Sequence, residues 1–481
     1  MTTNIQTGAS LFIAGRWIAP DGNNTLDIHN PADGSVVGTI GYGGKTEAVA
    51  AADAAHHAFP AWAGKPARGR ADILLQVGRL MLERADLIGY VLAQESGKRL
   101  PEAVAEVRFA AEYFRWFAEQ ARRPADEIIP QEIANRRHMV MTQPMGVALC
   151  LTPWNFPVSI QARKVAPALA AGCTIVSRAS EKAPLAVIEM FRCLEEAGIP
   201  PGVANLIQGP AGETTSAMLA HRAVRVVSFT GSTEVGRSIM RQASERIVRP
   251  LLELGGNAPF IVFEDADVDR AVEGAMLAKF RNNGQSCIAA NRFLVHASLF
   301  ESFVQQFAAR VDRMKLGNPV QEPIPDLGPL IDERRKQAVE AVVAEAEAAG
   351  AHRVTSVDNI PTYGYFTAPA LLVDVPSHVA LAKQEVFGPI AGIFPFETEE
   401  EAIRQANESE MGLAAYFYTS RLDRAWRVAE ALEAGILGLN TALPSVAYAP
   451  MGGVKQSGLG REGSHQGLAE FQEIKYLCTE L

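Results

Sequence analysis

No two cysteines of this sequence stand close enough to form a CxxC pair or a zinc-ligand pattern. The five, Cys150, Cys173, Cys193, Cys287 and Cys478, are scattered along the chain. That excludes a cysteine metal site and a dithiol redox centre, and it marks most of these thiols as small buried hydrophobes. A basic block is also missing. Lysine and arginine total 45 against 54 aspartates and glutamates, a net charge of −9. The clustered cations that neutralise phosphates are not there, so nucleic acid is excluded as a partner. An anionic small molecule is not, because a single pocket can carry local positive charge. The longest apolar run, 165–176, is broken by Pro167, Gly172 and Thr174 and is too short to cross a bilayer. Residues 1–17 carry neither the basic flank nor the apolar centre of a signal peptide, so the expected setting is the cytoplasm. There are no internal repeats or low-complexity stretches.

What the sequence does have is ordinary for a globular enzyme. Hydrophobic residues make up 48% and charged residues 21% of 481, enough for large cores without disulfides or metals and for roughly two to four domains. Amphipathic helices are expected at 47–59, stopped by Pro60, at 70–95 and at 101–122. From about residue 145, short apolar strands (147–151, 174–177, 204–207, 224–229) alternate with helices (160–170, 185–197, 213–220). A second alternating region follows, with strands at 259–263, 293–295 and 436–439 and helices at 268–281, 299–314, 334–349 and 399–406. Alternation of this kind predicts parallel, doubly wound α/β sheets, here two of them. The strand-like segment 125–142 fits neither and reads as a protruding hairpin or oligomer arm.

Gly458, Gly460 and Gly463 match G-x-G-x-x-G, but no strand precedes them and too few residues follow for a βαβ unit, so they read as a turn. Gly231 and Ser232 are better placed, after the strand at 224–229 and before a helical pattern. Gly231 would let a ligand approach the backbone, and Ser232 could bond a phosphate oxygen or serve as a plain N-cap. Cys287 ends a polar stretch, Arg281 to Ser286, that leaves a helix. A thiol on such a loop can act as a nucleophile if its thiolate is stabilised. Glu253 is a lone carboxylate in an apolar run, the kind whose raised pKa suits a general base. Asn155 lies between Pro153 and Pro157 on a stiffened loop and could donate to a developing oxyanion or close an Asx-turn.

Taken together and in order, the motifs at 152–157, 229–236, 251–257, 281–287, 385–389 and 450–458 resemble the aldehyde dehydrogenase superfamily over nearly the whole chain. Glu253 precedes Cys287 by 34 residues, which fits that pattern. The resemblance implies that Cys287 attacks an aldehyde and that the Asn155 amide and the Cys287 N–H hold the oxyanion. Hydride transfer to NAD(P) then leaves a thioester, which Glu253-activated water hydrolyses. Lys164 is implied in the proton-transfer network. Pro153, Trp154, Arg178, Glu181, Gly231, Ser232, Glu385 and Phe387 are implied in cofactor binding. The implied fold is aldehyde dehydrogenase-like: a dinucleotide-binding domain (1–122 and 145–253), a nucleophile-bearing domain (254–456) and a small β oligomerisation arm (123–144 and 457–481), assembled as a homodimer or homotetramer. No metal is implied.

Arg178 stands where the family usually has the lysine of a Lys-Pro pair, and arginine is a fork rather than a point charge. Glu181 would accept from a ribose 2′-hydroxyl and repel a 2′-phosphate, so the expectation leans to NAD, with NADP as the alternative. The wording is most similar to succinate-semialdehyde dehydrogenases. In that subfamily two arginines and a serine, here Arg163, Arg281 and Ser445, hold the distal carboxylate of the substrate. The position two after the nucleophile is Ala289 rather than a second cysteine, so no redox-switch disulfide is expected. The altered loop 444–448 leaves room for a longer acid-aldehyde such as glutarate semialdehyde, or an aromatic one. A CoA-acylating dehydrogenase and a non-catalytic binding protein are the remaining alternatives, and the presence of Glu253 and Cys287 argues against each.

Overall fold

Five strands, Val147–Leu151, Thr174–Arg178, Ala204–Ile207, Val224–Thr230 and Arg249–Glu253, pair in parallel as the centre of an eight-stranded sheet. The computed structural model describes residues 5–7, 9–123 and 125–480. Residues 1–4 and 8 of the N-terminal segment, Pro124 of the expected arm, and Leu481 lie outside the described residues. Val147–Leu151 and Thr174–Arg178 are buried throughout, as strands covered by helices on both faces must be. The helix Pro157–Ala171 crosses between them and is itself buried along its whole length. Its polar residues, Arg163 and Lys164, are therefore inside the protein and must find partners there.

Seven further strands form the second sheet, in the order His352–Arg353, Ala370–Val373, Ile390–Phe396, Ala290–His296, Ala258–Val262, Ala414–Tyr418 and Ile436–Leu439. All pairs are parallel except the first, at the edge. The α/β reading is thus realised in two parallel-centred sheets. The arm-like segment forms a hairpin, Glu127–Ile129 with Arg136–Pro144, extended by the antiparallel strand Gln472–Glu480.

Three expectations need correction. Pro60 does not stop its helix, which runs Lys45–Ala63. The Trp62 side chain is buried, with its indole N–H 3.2 Å from the Leu169 carbonyl, and this anchor carries the helix one turn past the missing prolyl N–H. The single helix expected at 70–95 is two, Ala67–Glu83 and Ala85–Ser96, broken at Arg84 (φ −105°, ψ 12°). Apolar periodicity runs across the break because Leu80, Met81, Ala85 and Ile88 all face one core. The segment 457–481 does not lie wholly in the arm: Gly458–Leu459 pairs antiparallel with Arg249–Glu253 and closes that edge of the first sheet.

Candidate active site

Cys287 follows a run of left-handed backbone, Asn282, Asn283 and Gly284, with φ of 53°, 57° and 73°. Asparagine and glycine adopt that conformation at least cost, and a Cβ on Gly284 would come within 2.2 Å of the Gly388 carbonyl oxygen. The turn is pinned on several sides. The Asn283 amide donates to the carbonyls of Gly97 and Pro329 (3.1 and 2.9 Å), and its Oδ1 accepts from the Gly328 N–H (2.8 Å). Gln285 Oε1 accepts from the Ile331 N–H (3.0 Å). The loop that sequence composition marked as polar is therefore polar because its side chains replace backbone partners that regular structure would supply.

Two cavities meet at Cys287, which is partly exposed between them. One, of about 440 Å³, is lined by Pro153, Trp154, Asn155, Gly231, Ser232, Glu385 and Phe387, together with Lys182, Arg334 and Arg335. The other is lined by Arg163, Glu253, Arg281 and Ser445, with Phe109, Phe156, Ile288 and Met451. It opens past Phe109, Arg281 and Ser445 into an outer vestibule. Of the expected cofactor residues only Arg178 and Glu181 lie off the first cavity. The Arg178 guanidinium donates to the Gly209 carbonyl (2.9 and 3.2 Å) and to Glu181 (2.6 Å), so its charge is already paired.

The first cavity has the features of a dinucleotide groove. It lies at the N-terminus of the helix Thr233–Ser244, which Ser232 caps by accepting from the Val235 N–H, and free amides there favour an anion. A Cβ on Gly231 would strike the Phe229 ring, and one on Gly255 would come 2.9 Å from Glu385 Oε2. Trp154 and Phe387 meet edge to face at 5.4 Å. Glu385 accepts from the Gly256 N–H (3.1 Å), and burial raises its carboxyl to about 7. These residues fit a bound NAD(P).

In the second cavity the chemistry is set by burial. Desolvation, then the carboxylates of Glu385 and Glu253, push the Cys287 thiol up to about 12, with Arg163 opposing. Cys287 thus rests as a thiol, and any thiolate chemistry there would require a base. Glu253 ends the strand Arg249–Glu253, is buried, and neither carboxyl oxygen has a hydrogen-bond partner among the described residues. Desolvation and the neighbouring Glu462 raise it to about 8, which suits general-base work near neutral pH. The Asn155 amide donates to the Gln285 carbonyl at 3.2 Å, beside Cys287.

Sequence reasoning missed Glu462. It is buried, pairs with Lys164, accepts from Ser228 Oγ (3.2 Å), and lies 3.6 Å from Arg163. It sits inside the rejected glycine motif, where its neighbours gave no sign of burial; only the tertiary fold brings the helix Pro157–Ala171 against it. Arg281, by contrast, makes no ion pair among the described residues and lies over the Phe156 ring at 5.3 Å.

Comparisons with known proteins identify the family. The model of the "Aldehyde dehydrogenase family" matches residues 17–477. A glutarate-semialdehyde dehydrogenase of Pseudomonas putida is 44% identical, with 98% of this chain and 97% of that protein covered. The succinate-semialdehyde dehydrogenase [NADP(+)] of Escherichia coli is likewise 44% identical, with the same coverage. The crystal structure of betaine aldehyde dehydrogenase from Staphylococcus aureus in complex with NAD+ superposes with a TM-score of 0.95 at 34% identity, covering 98% of this chain and 95% of that one.

Proposed function

The chain belongs to the aldehyde dehydrogenase family, and on that premise we propose that Cys287 is its nucleophile and a short ω-oxo carboxylate, succinate or glutarate semialdehyde, its substrate. The observation that carries this reading is the meeting of two differently equipped cavities at one thiol. Glu253 takes the thiol proton, and Cys287 Sγ adds to the aldehyde carbon to give a thiohemiacetal. The Asn155 amide and the Cys287 N–H stabilise the oxyanion. The cavity lined by Trp154, Gly231, Ser232, Glu385 and Phe387 would hold NAD(P), which would supply the hydride acceptor needed to turn the thiohemiacetal into a thioester. Glu253 then takes a proton from water, which attacks the thioester carbon; the carboxylic acid leaves and the Cys287 thiol is restored. The two unpartnered oxygens of Glu253 support this double use. Glu253 must release the thiol proton to water in the cavity before the second step, and the buried cluster of Lys164, Glu462 and Ser228 beside it sets the field in which it does so.

Arg281, Arg163 and Ser445 orient the substrate by its carboxylate, so that the aldehyde faces the thiol. Arg178 and Glu181 bear on the adenosine ribose, and their mutual pairing favours NAD: a 2′-phosphate would meet Glu181 while Arg178 is already neutralised. The dinucleotide-binding part comprises 1–122 and 145–253, the nucleophile-bearing part 254–456, and the arm 123–144 with the terminal strand. On that arm Ile128, Ile474 and Tyr476 are 77%, 78% and 56% exposed, a surface that supports a homodimer or homotetramer. Five unpaired thiols suit the reducing cytoplasm. No helix among the described residues is long and apolar enough to cross a membrane.

The test is the initial rate of NAD(P)H formation with succinate and glutarate semialdehydes against uncharged aldehydes of equal length, with NAD and NADP in parallel. A clear preference for the acid-aldehydes, absent in Cys287→Ala, is the expected result. Equal rates on uncharged aldehydes would sink the substrate reading and leave the chemistry standing.

A further inference from the structure

Three charged side chains at the start of the helix Leu100–Gln120 are spent on loops of the active site rather than on each other alone. Lys98 stands two residues before that helix, and Glu102 and Glu106, four residues apart, share one of its faces. Lys98 is 0% exposed and Glu106 1%, and the two form an ion pair. Lys98 Nζ also donates to the backbone carbonyl of Asn155 at 2.8 Å and lies 4.0 Å from the centre of the Phe156 ring. Glu106 Oε1 accepts from the N–H groups of Val158 and Ser159, at 3.0 and 3.1 Å. Those are the first free amides of the helix Pro157–Ala171, directly after the Asn155 loop. Glu102 Oε2 accepts from the N–H of Asn282 at 2.9 Å, and Asn282 Nδ2 donates to the same Asn155 carbonyl at 2.9 Å. The start of this helix and the residue just before it thus tie together the loop that carries Asn155 and the turn that carries Cys287.

We propose that the buried Lys98–Glu106 pair is a positioning element that fixes where the Asn155 amide stands relative to Cys287, and so governs kcat. Burying two charges is costly, and an apolar pair of similar shape would fill the space as well or better. The pair's distinguishing feature is its additional bonds: it fixes the Asn155 carbonyl from one side and the following amides from the other. With the backbone at residue 155 fixed, the side-chain amide has a defined place; released, it can drift by the fraction of an ångström to which an oxyanion donor is sensitive. Neither residue needs to touch the reacting atoms for this. The inference rests on the assignment of Asn155 as oxyanion donor made above.

The experiment uses the full-length protein with succinate semialdehyde and NAD. Removing one charge alone would strand the other and could unfold the protein, so the primary variant neutralises both, Lys98→Met/Glu106→Gln. The glutamine retains an acceptor for Val158 and Ser159. It is compared with Asn155→Ala and with the triple variant. The expected result is a fall in kcat of roughly 10- to 100-fold, with KM for NAD within about twofold of the parent, as for an interaction that matters only in the transition state; Glu106 also borders the aldehyde cavity, so the aldehyde KM does not report on positioning alone. The triple variant should lose no more than Asn155→Ala alone, because the pair acts through that residue. An unchanged kcat in the neutral-pair variant overturns the proposal. So does a loss that multiplies with that of Asn155→Ala, which a merely structural role would give. If Asn155→Ala itself costs nothing, the oxyanion assignment falls first and the positioning role with it. If only the neutral-pair variant is silent, the assignment stands.

Discussion

Replacing Arg281 by alanine separates recognition of the substrate's carboxylate from the chemistry of its aldehyde. Two arginines line the substrate cavity, and their surroundings differ. Arg163 is buried, stands 3.6 Å from Glu462, and lies over the Tyr113 ring at 5.4 Å. Arg281 has no carboxylate within ion-pair distance among the described residues and borders both the cavity and its vestibule. Its guanidinium is therefore the free one, available for a bidentate bond to an incoming carboxylate. Hydrogen bonds to a charged group contribute about 1.5–3 kcal/mol, which at 1.4 kcal/mol per decade is roughly a 10- to 150-fold loss in kcat/KM for succinate semialdehyde. Butanal, of equal length and without the carboxylate, should change by no more than about twofold. The assay is the paired kcat/KM for the two aldehydes in parent and Arg281→Ala, followed by NADH absorbance. An equal loss on both aldehydes would refute the reasoning, since a residue that only recognises the carboxylate cannot matter to butanal. Arg163→Ala should go further: besides removing the second cation that orients the carboxylate, it leaves Glu462 with one fewer cation beside Glu253, so activity should fall most on succinate semialdehyde, and activity on butanal and thermal stability should fall with it.

Glu253→Gln should slow both steps that Glu253 serves, so that the first NADH per active site forms slowly rather than as a burst and steady-state rates fall by roughly 10²–10⁴; rapid-mixing absorbance reads both, and a full fast burst would confine Glu253 to hydrolysis, while an undiminished steady state would remove it as a base. In the parent, the base form of Glu253 is the carboxylate, raised to about 8 chiefly by burial, so hydrolysis-limited kcat should climb with pH through that value and level off above it; a flat profile from pH 6 to 9, or one that falls, would contradict the assignment. Glu181→Ser should raise kcat/KM for NADP by about tenfold, since it removes the charge that opposes a 2′-phosphate and frees Arg178; no gain would count against this account of the ribose site. Cys287→Ala should bind NAD with unchanged affinity by fluorescence titration yet form no NADH, and measurable turnover would reassign the nucleophile.

Legibility from sequence varied with how local the cause was. The strands Val147–Leu151 and Ala204–Ile207 are apolar runs bounded by turn residues, and their limits could be read directly. Gly231, Ser232 and Cys287 stood out because each breaks the composition around it. Leu11–Ile13 and Arg16–Ile18 escaped notice because three-residue strands have no measurable period; they form only because Ala204–Ile207 offers them an edge. Glu462, Lys98 and Glu106 were illegible for another reason. Lys98 and Glu462 each stand beside an arginine and read as solvated surface, Glu106 reads as one polar position of an amphipathic helix, and only packing of distant segments reveals that all three are inside, Lys98 paired with Glu106 and Glu462 with Lys164. The break at Arg84 is similar, since the same core faces both halves and periodicity alone cannot register a kink.

The short strand Gly458–Leu459 has a consequence for how the protein is made. It covers the edge of Arg249–Glu253, the strand that ends in Glu253, and three residues later Glu462 reaches the Lys164 ammonium. The ribosome delivers this piece only after the whole second sheet has emerged. A nascent chain can therefore assemble the five parallel strands of its first sheet, but that sheet keeps an open flank and an unfinished base until synthesis is almost over. A chain released prematurely, even one that already contains Cys287, would carry the thiol without the machinery to use it.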